Sequence, residues 1–188
     1  VYEKGCFTKD MTMPPSAFHI RDATEADIPA IQSIYAHHVL QGTATFEEIP
    51  PDEAGMKRRL KTAQDALLPF LVAEVDGVVR GYSYASFYHT RSAYRYTLED
   101  TIYLEEGWRG RGLGTDLLTA LLERCEDGGW RQMVALIGGS DNAGSIALHQ
   151  RQGFRLVGVL EKVGLKFGQW HDVVLMQKEL GKGSSDTP

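Results

Sequence analysis

Cysteine is scarce in this chain: Cys6 and Cys125 are the only two in 188 residues, and neither belongs to a C-x-x-C pair. That excludes a disulfide framework, and a reducing cytoplasm is the simplest setting. Asparagine is scarcer still. Asn142 stands alone and is followed by Ala143 and Gly144, so no N-glycosylation sequon exists. The six histidines form no H-E-x-x-H and no metal-like spacing, so no structural or catalytic metal is expected. No stretch approaches the roughly 18 apolar residues of a membrane span, and no apolar signal region opens the chain. Positive charge is not in excess either. Lys+Arg 20 against Asp+Glu 25 gives a formal charge of −5, which argues against nucleic acid or anionic lipid as partner. A local basic site for a small anion stays open.

What is present is enough for one domain with its own core: 188 residues, 43% of them apolar. Residues 1–16, which end in Pro14-Pro15-Ser16, are expected to be an extension or expression remnant, since Met11 or Met13 makes a natural start. The domain is expected over 17–180, and 181–188 has the composition of a disordered tail.

Between these ends the elements alternate. Phe18 to Arg21 predicts a short strand, and Thr24-Glu25-Ala26-Asp27 resembles a capping box ahead of Ile28, Ile31, Ile34 and Tyr35 on one helical face. Pro51-Asp52-Glu53 opens a second helix carrying Met56, Leu60 and Leu67. Phe70–Val75, Asp76-Gly77 and Val78–Phe87 form a hairpin signal, followed by a strand over 94–104. Leu113, Leu117, Leu118, Leu121, Leu122 and Cys125 mark a helix. A strand over 132–137, a short helix over 143–152, and closing strands over 154–163 and 172–180 complete a mixed α/β single domain.

The sharpest local feature is Arg109-Gly110-Arg111-Gly112-Leu113-Gly114, between a strand and a helix start. Glycines there let backbone N–H groups converge on an anion, and the helix dipole favours the negative charge. Thr115 stands where a dinucleotide fingerprint needs its third glycine, and the segment has no lysine for a P-loop.

Arg109-x-x-Gly112-x-Gly114 is similar to the pyrophosphate loop of the GNAT superfamily of N-acetyltransferases. Further segments sharpen the likeness: Thr43-Ala44-Thr45-Phe46-Glu47, Arg91 to Glu99, Ile137-Gly138, Ser145 to His149, Gly153-Phe154 and Lys166 to Val173. Together they resemble the phosphinothricin acetyltransferase branch, which includes methionine sulfone and sulfoximine acetyltransferases. The resemblance implies the GNAT acyl-CoA N-acyltransferase fold, with a mixed central sheet whose middle strands splay, flanked by helices. It implies acetyl-CoA as co-substrate, a small amino-acid-like acceptor and a homodimer.

Carried over residue by residue, the resemblance assigns the pyrophosphate to the amides of Arg109, Gly110, Arg111, Gly112, Leu113 and Gly114. Ile102, Tyr103 and Leu104 would pair with the pantetheine arm, with the amide near Leu104 stabilising the developing oxyanion. Asn142 and Ser145 would face the lower part of the donor. Glu99 is the general-base candidate. His149 is a candidate acid or base, with packing against the donor as the alternative. Arg91, Tyr94 and Val173 align with acceptor contacts, and Arg91 suits an acidic group; His89 replaces the basic residue of the branch two positions earlier.

Other features carry plainer expectations. His37-His38 is expected to be an exposed helix end, and Met56-Lys57-Arg58-Arg59 a solvated face. Trp108 is placed either over the phosphates or in packing, and Trp170 either at a dimer interface or near the acceptor. Cys125, on an apolar stripe, favours direct transfer over an acyl-enzyme. The expected activity is acetyl transfer to the α-amino group of a small L-amino acid or analogue. The alternatives are transfer to another small amine or a peptide N-terminus, and a non-catalytic acyl-CoA-binding module.

Overall fold

The computed structural model describes residues 18–188; Cys6 and the 1–16 segment lie outside the described residues. One seven-stranded sheet runs through it, with strand order β1-β2-β3-β4-β5-β7-β6. The strands are β1 (His19–Asp22), β2 (Phe70–Val75), β3 (Val78–Phe87), β4 (Thr97–Leu104), β5 (Gln132–Gly138), β6 (Arg155–Lys166) and β7 (Gln169–Glu179). Four helices flank it: α1 (Ile28–Gln41), α2 (Glu53–Asp65), α3 (Leu113–Asp127) and α4 (Ala143–Arg151).

Local chemistry explains the element ends. Asp76 and Gly77 have φ of 50° and 77°, the two positive values a tight hairpin turn requires between β2 and β3. Asp52 caps α2 by accepting from the Gly55 amide at 2.7 Å. Asp27 accepts from the Thr24 amide at 2.8 Å and receives both terminal nitrogens of Arg21 at 2.8 Å, tying β1 to the start of α1. That guanidinium holds the Asp27 carboxyl down at about 2, against the opposing effect of burial.

Three expectations shift at the edges. Leu67, expected on the α2 stripe, lies past the helix end with φ 57° and is exposed, while Leu68 turns into the core. Residues 92–94 form a single 3-10 turn, so β4 begins at Thr97 rather than Tyr94. Past β7, Leu180 donates to the Arg131 carbonyl, and Arg131 pairs with Asp186 at 2.7 Å, so part of the expected loose tail is hydrogen-bonded to the domain.

The sheet has two distinct faces. Ser83 donates to the Leu117 carbonyl, and a Cβ at Gly114 would touch Leu104, Ile102 and Leu148, so the even-numbered side chains of β4 face α3 and α4. The odd-numbered ones face α1, where the Tyr103 and Tyr35 rings meet edge to face at 5.1 Å. All neighbouring strands are antiparallel except β4 and β5. That parallel pair is short: Thr97, Leu98 and Glu99 lie opposite Gln132, Met133 and Val134. Beyond Glu99, β4 continues only with β3 and β5 only with β7, so the sheet opens at its centre.

Candidate active site

The opening between β4 and β5 leads into a cavity of about 660 Å³. At one end stands the glycine turn. Gly110 and Gly112 have φ of 76° and 90°, in the left-handed region that side chains avoid. Among the described residues, the amides of 110–114 donate to no backbone carbonyl, so they are the orphan donors of a loop running into the α3 N-terminus. An anion fits such a cradle. Arg109, Gly110, Gly112 and Gly114 line the cavity. Leu113 sends its side chain fully into the core, and Arg111 turns away to stack on Trp108, 4.7 Å from the ring centre. Arg80 also stacks on Trp108, at 5.2 Å, so Trp108 packs between two guanidinium groups.

The edge of β4 forms the middle of the cavity. The Glu105 amide bonds the Arg80 carbonyl, so strand alternation turns the main-chain groups of Ile102 and Leu104 toward the gap. Tyr103 sits in register with Tyr82 and directs its own to β3, which corrects its expected place among the backbone contacts of the donor. The Leu104 carbonyl is already taken: His38 Nε2 donates to it at 2.8 Å, leaving the Leu104 amide as the free group. His38 is therefore buried, not an exposed helix end, and burial lowers its pKa in spite of that bond. From the far wall, Asn142 caps α4 by accepting from the Ser145 amide at 3.3 Å, and both residues line the cavity.

Glu99 occupies the last residue of β4 paired with β5 and points to the α1 face of the sheet. Burial, reinforced by the neighbouring Asp100 charge, pushes its carboxyl up to about 7. Tyr84, Thr45, Phe46, Glu47 and Arg59 line the same cavity, and Thr45 and Arg59 meet Tyr35 of α1, on the face to which Glu99 points. Arg59 bonds Glu47 at 2.6 Å and lies 5.2 Å from the centre of the Tyr35 ring, so it belongs to the cavity wall and not to a solvated face. Val173 completes the lining.

His149 reaches the cavity from the opposite face and is 2% exposed. Its Nδ1 donates to the Ser145 carbonyl at 2.7 Å, and Nε2 lies 3.0 Å from Asp100 Oδ2. Burial opposes a charge on this ring, but the Asp100 carboxylate and its hydrogen bond outweigh it and raise the pKa. With both nitrogens engaged, the imidazole holds α4 to β4. Cys125 is buried, and burial pushes its thiol up to about 12, which leaves no thiolate for an acyl-enzyme.

Two expected acceptor contacts are not brought to the cavity. Arg91 caps and Tyr94 ends the exposed 3-10 turn beyond the end of β3, where Tyr94 packs on the rings of Tyr88 and His89. Residue patterning alone did not single out Asp100, His38 or Arg59; only the adjacency of Asp100 to Glu99, and of Glu47 to Phe46, offered a signal. No group of three or more histidine, cysteine or acidic side chains among the described residues is arranged to hold a metal.

Residues 31–154 match the acetyltransferase (GNAT) family model. The chain belongs to the GNAT acetyltransferases. The phosphinothricin N-acetyltransferase of Alcaligenes faecalis is 51% identical over 169 residues, covering 90% of this chain and 86% of that protein. An L-methionine sulfoximine/L-methionine sulfone acetyltransferase of Pseudomonas aeruginosa is 41% identical over 162 residues, covering 86% and 94%. The crystal structure of a GNAT superfamily phosphinothricin acetyltransferase from Sinorhizobium meliloti, in complex with acetyl-CoA, superposes with a TM-score of 0.89. It is 45% identical, covering 91% of this chain and 92% of that one. As a GNAT acetyltransferase, this enzyme takes its acyl group from acetyl-CoA, and the glycine turn and the β4 edge suit the pyrophosphate and pantetheine of that donor.

Proposed function

We propose that this enzyme acetylates the α-amino group of a small polar L-amino acid or analogue, of the methionine sulfone, methionine sulfoximine or phosphinothricin kind. One observation carries the reading: Glu99, with a carboxyl poised near neutrality, sits where the splayed strands meet and lines the part of the cavity on the α1 side of the sheet, which this reading takes as the acceptor chamber. The relatives named above support the acceptor class.

The donor is held through the amides of 110–114, with Asn142 and Ser145 on the far wall. An amine near neutral pH is mostly ammonium, and Glu99 accepts its proton, directly or through one water. The freed nitrogen bonds the thioester carbon, the C–S bond breaks as the tetrahedral oxyanion collapses, and the departing thiolate takes up, through solvent, the second proton that the nitrogen sheds to become an amide. The Leu104 amide, pointing into the gap, stabilises the oxyanion as it develops. Val173 supplies an apolar wall for the acceptor side chain. Arg91 and Tyr94 are left out of this acceptor site, because both lie away from the cavity in the single chain.

The enzyme is also proposed to act as a homodimer. The outward face of β6 and β7 exposes Leu156, Val159, Leu165, Phe167 and Trp170, an apolar sheet edge that an isologous contact would cover. A cytoplasmic setting agrees with the free thiol of Cys125.

The deciding experiment is a thiol-release screen with acetyl-CoA against amino acids, their sulfone and sulfoximine analogues, phosphinothricin and polyamines. Release confined to amino-acid acceptors supports the proposal. Release with polyamines alone, or none at all, overturns it. Light scattering at micromolar concentration that gives the mass of one chain overturns the dimer.

A further inference from the structure

Lys166 closes β6 at its turn into β7, and it is 1% exposed. A buried ammonium normally needs a carboxylate. None forms a salt bridge with it among the described residues; its Nζ donates to the Thr45 carbonyl at 2.7 Å and lies 5.1 Å from the centre of the Phe167 ring. The carboxylates of Glu47 and Glu48 act on it only at longer range, and burial lowers its pKa. The strand alternates at this point: Gly164 and Lys166 turn inward, while Leu165 and Phe167 stay exposed.

The inward groups both engage the segment 43–47. A Cβ at Gly164 would lie 2.1 Å from the Phe46 ring, so the absent side chain is the seat of that ring. The same segment is tied from the other side, through the Tyr35 hydroxyl to Thr45 Oγ1 at 2.9 Å and through Arg59 to Glu47. Thr45, Phe46 and Glu47 line the cavity on the side of Glu99. Among the described residues, no hydrogen bond or salt bridge joins this linkage to the glycine turn.

We propose that Lys166 is a positioning residue for the acceptor: its ammonium on the Thr45 carbonyl, with Phe46 seated on Gly164, holds the 43–47 wall at the distance from Glu99 that a small amino acid requires. The β6–β7 hairpin thereby joins its exposed outer face to the acceptor chamber. This inference rests on the reading of the Glu99 chamber as the acceptor site.

The test uses the full-length enzyme and the acceptor that gives the highest thiol release. Lys166→Met removes the ammonium and keeps the stem; Gly164→Ala leaves the ammonium and displaces Phe46. Lys166→Met should raise the acceptor KM by about tenfold or more, the scale of one lost charge-assisted hydrogen bond, and Gly164→Ala should raise it in the same direction by displacing the Phe46 ring. Calorimetric acetyl-CoA affinity should stay within about twofold of wild type, a split that general loosening of the fold does not produce. Lys166→Arg should recover part of the KM. An unchanged acceptor KM in both variants overturns the proposal, and so does parallel loss of acceptor and donor affinity in a folded variant. If Lys166→Met does not fold, Gly164→Ala alone decides on the same criteria. Wild-type enzyme without amino-acid-dependent thiol release overturns the acceptor reading itself and this inference with it, whereas normal wild-type release beside indifferent variants overturns only the role of Lys166.

Discussion

Glu99 and His149 face the same cavity from opposite faces of β4. The strand's alternation separates them: Glu99 points toward α1, and its neighbour Asp100 points toward α4 and engages His149. The carboxyl is left free to exchange a proton, while the imidazole has both nitrogens occupied. The two therefore answer differently to substitution.

Glu99→Gln preserves shape and cannot take the proton. Its kcat should fall by about 10²–10⁴-fold, with acetyl-CoA affinity unmoved. In the wild type, kcat/KM should rise through an acid limb near pH 7, where the raised carboxyl ionises. The variant should lose that limb and regain part of its rate in alkaline buffer, where free amine is plentiful. A pH–rate profile with the limb intact in the variant removes Glu99 from the base role.

His149→Phe leaves the Asp100 carboxylate buried and alone. Breaking such a pair from one side typically costs about 3–5 kcal/mol, to be read by urea unfolding. Replacing both residues with apolar ones should recover much of that loss. Because the folded pKa of His149 is raised, the pair's contribution is complete below the unfolded value of about 6.5 and is lost as pH climbs through the folded one. If the double variant is as stable as wild type yet inactive with Glu99 intact, His149 has a chemical role and not only a structural one.

Gly112→Val places a branched side chain at φ 90° and over the anion cradle. Acetyl-CoA affinity should be lost in a folded variant. Unchanged calorimetric affinity would move the pyrophosphate elsewhere.

Arg91→Ala tests the segment that the single chain holds away from the cavity. Donor and acceptor constants are expected within about twofold of wild type, as for a surface side chain. A KM rise confined to acidic acceptors would return Arg91 to the site.

Asp27 anchors β1 to α1 through Arg21. Its folded pKa of about 2 against a usual 3.8 corresponds to about 2 kcal/mol, present above the unfolded value and lost as pH falls toward 2. Asp27→Asn should remove that much stability at neutral pH and flatten the acid limb of the stability curve. Equal acid sensitivity in the two proteins would count against the assignment.

What the sequence determined by itself is what contiguous residues encode. Asp76-Gly77 specified the hairpin, the apolar stripe of α3 specified its buried face, and Arg109 to Gly114 announced a glycine turn at the start of α3, because turn conformation and helical periodicity are local. The family was legible for the same reason, through motifs that stay together along the chain, and one of those motifs carried Glu99, which lines the cavity. The tertiary structure decided the rest. His38 meets Leu104 across 66 positions, His149 meets Asp100 across 49, and Lys166 meets Thr45 across 121. Each of these polar side chains has the residue type of a solvated surface, and only the strand order and the face on which each lands convert it into a buried, hydrogen-bonded group. Arg91 and Tyr94 show the converse: their local pattern suits a site, but the chain turns outward before β4 begins, and position along a strand sets where a side chain can reach.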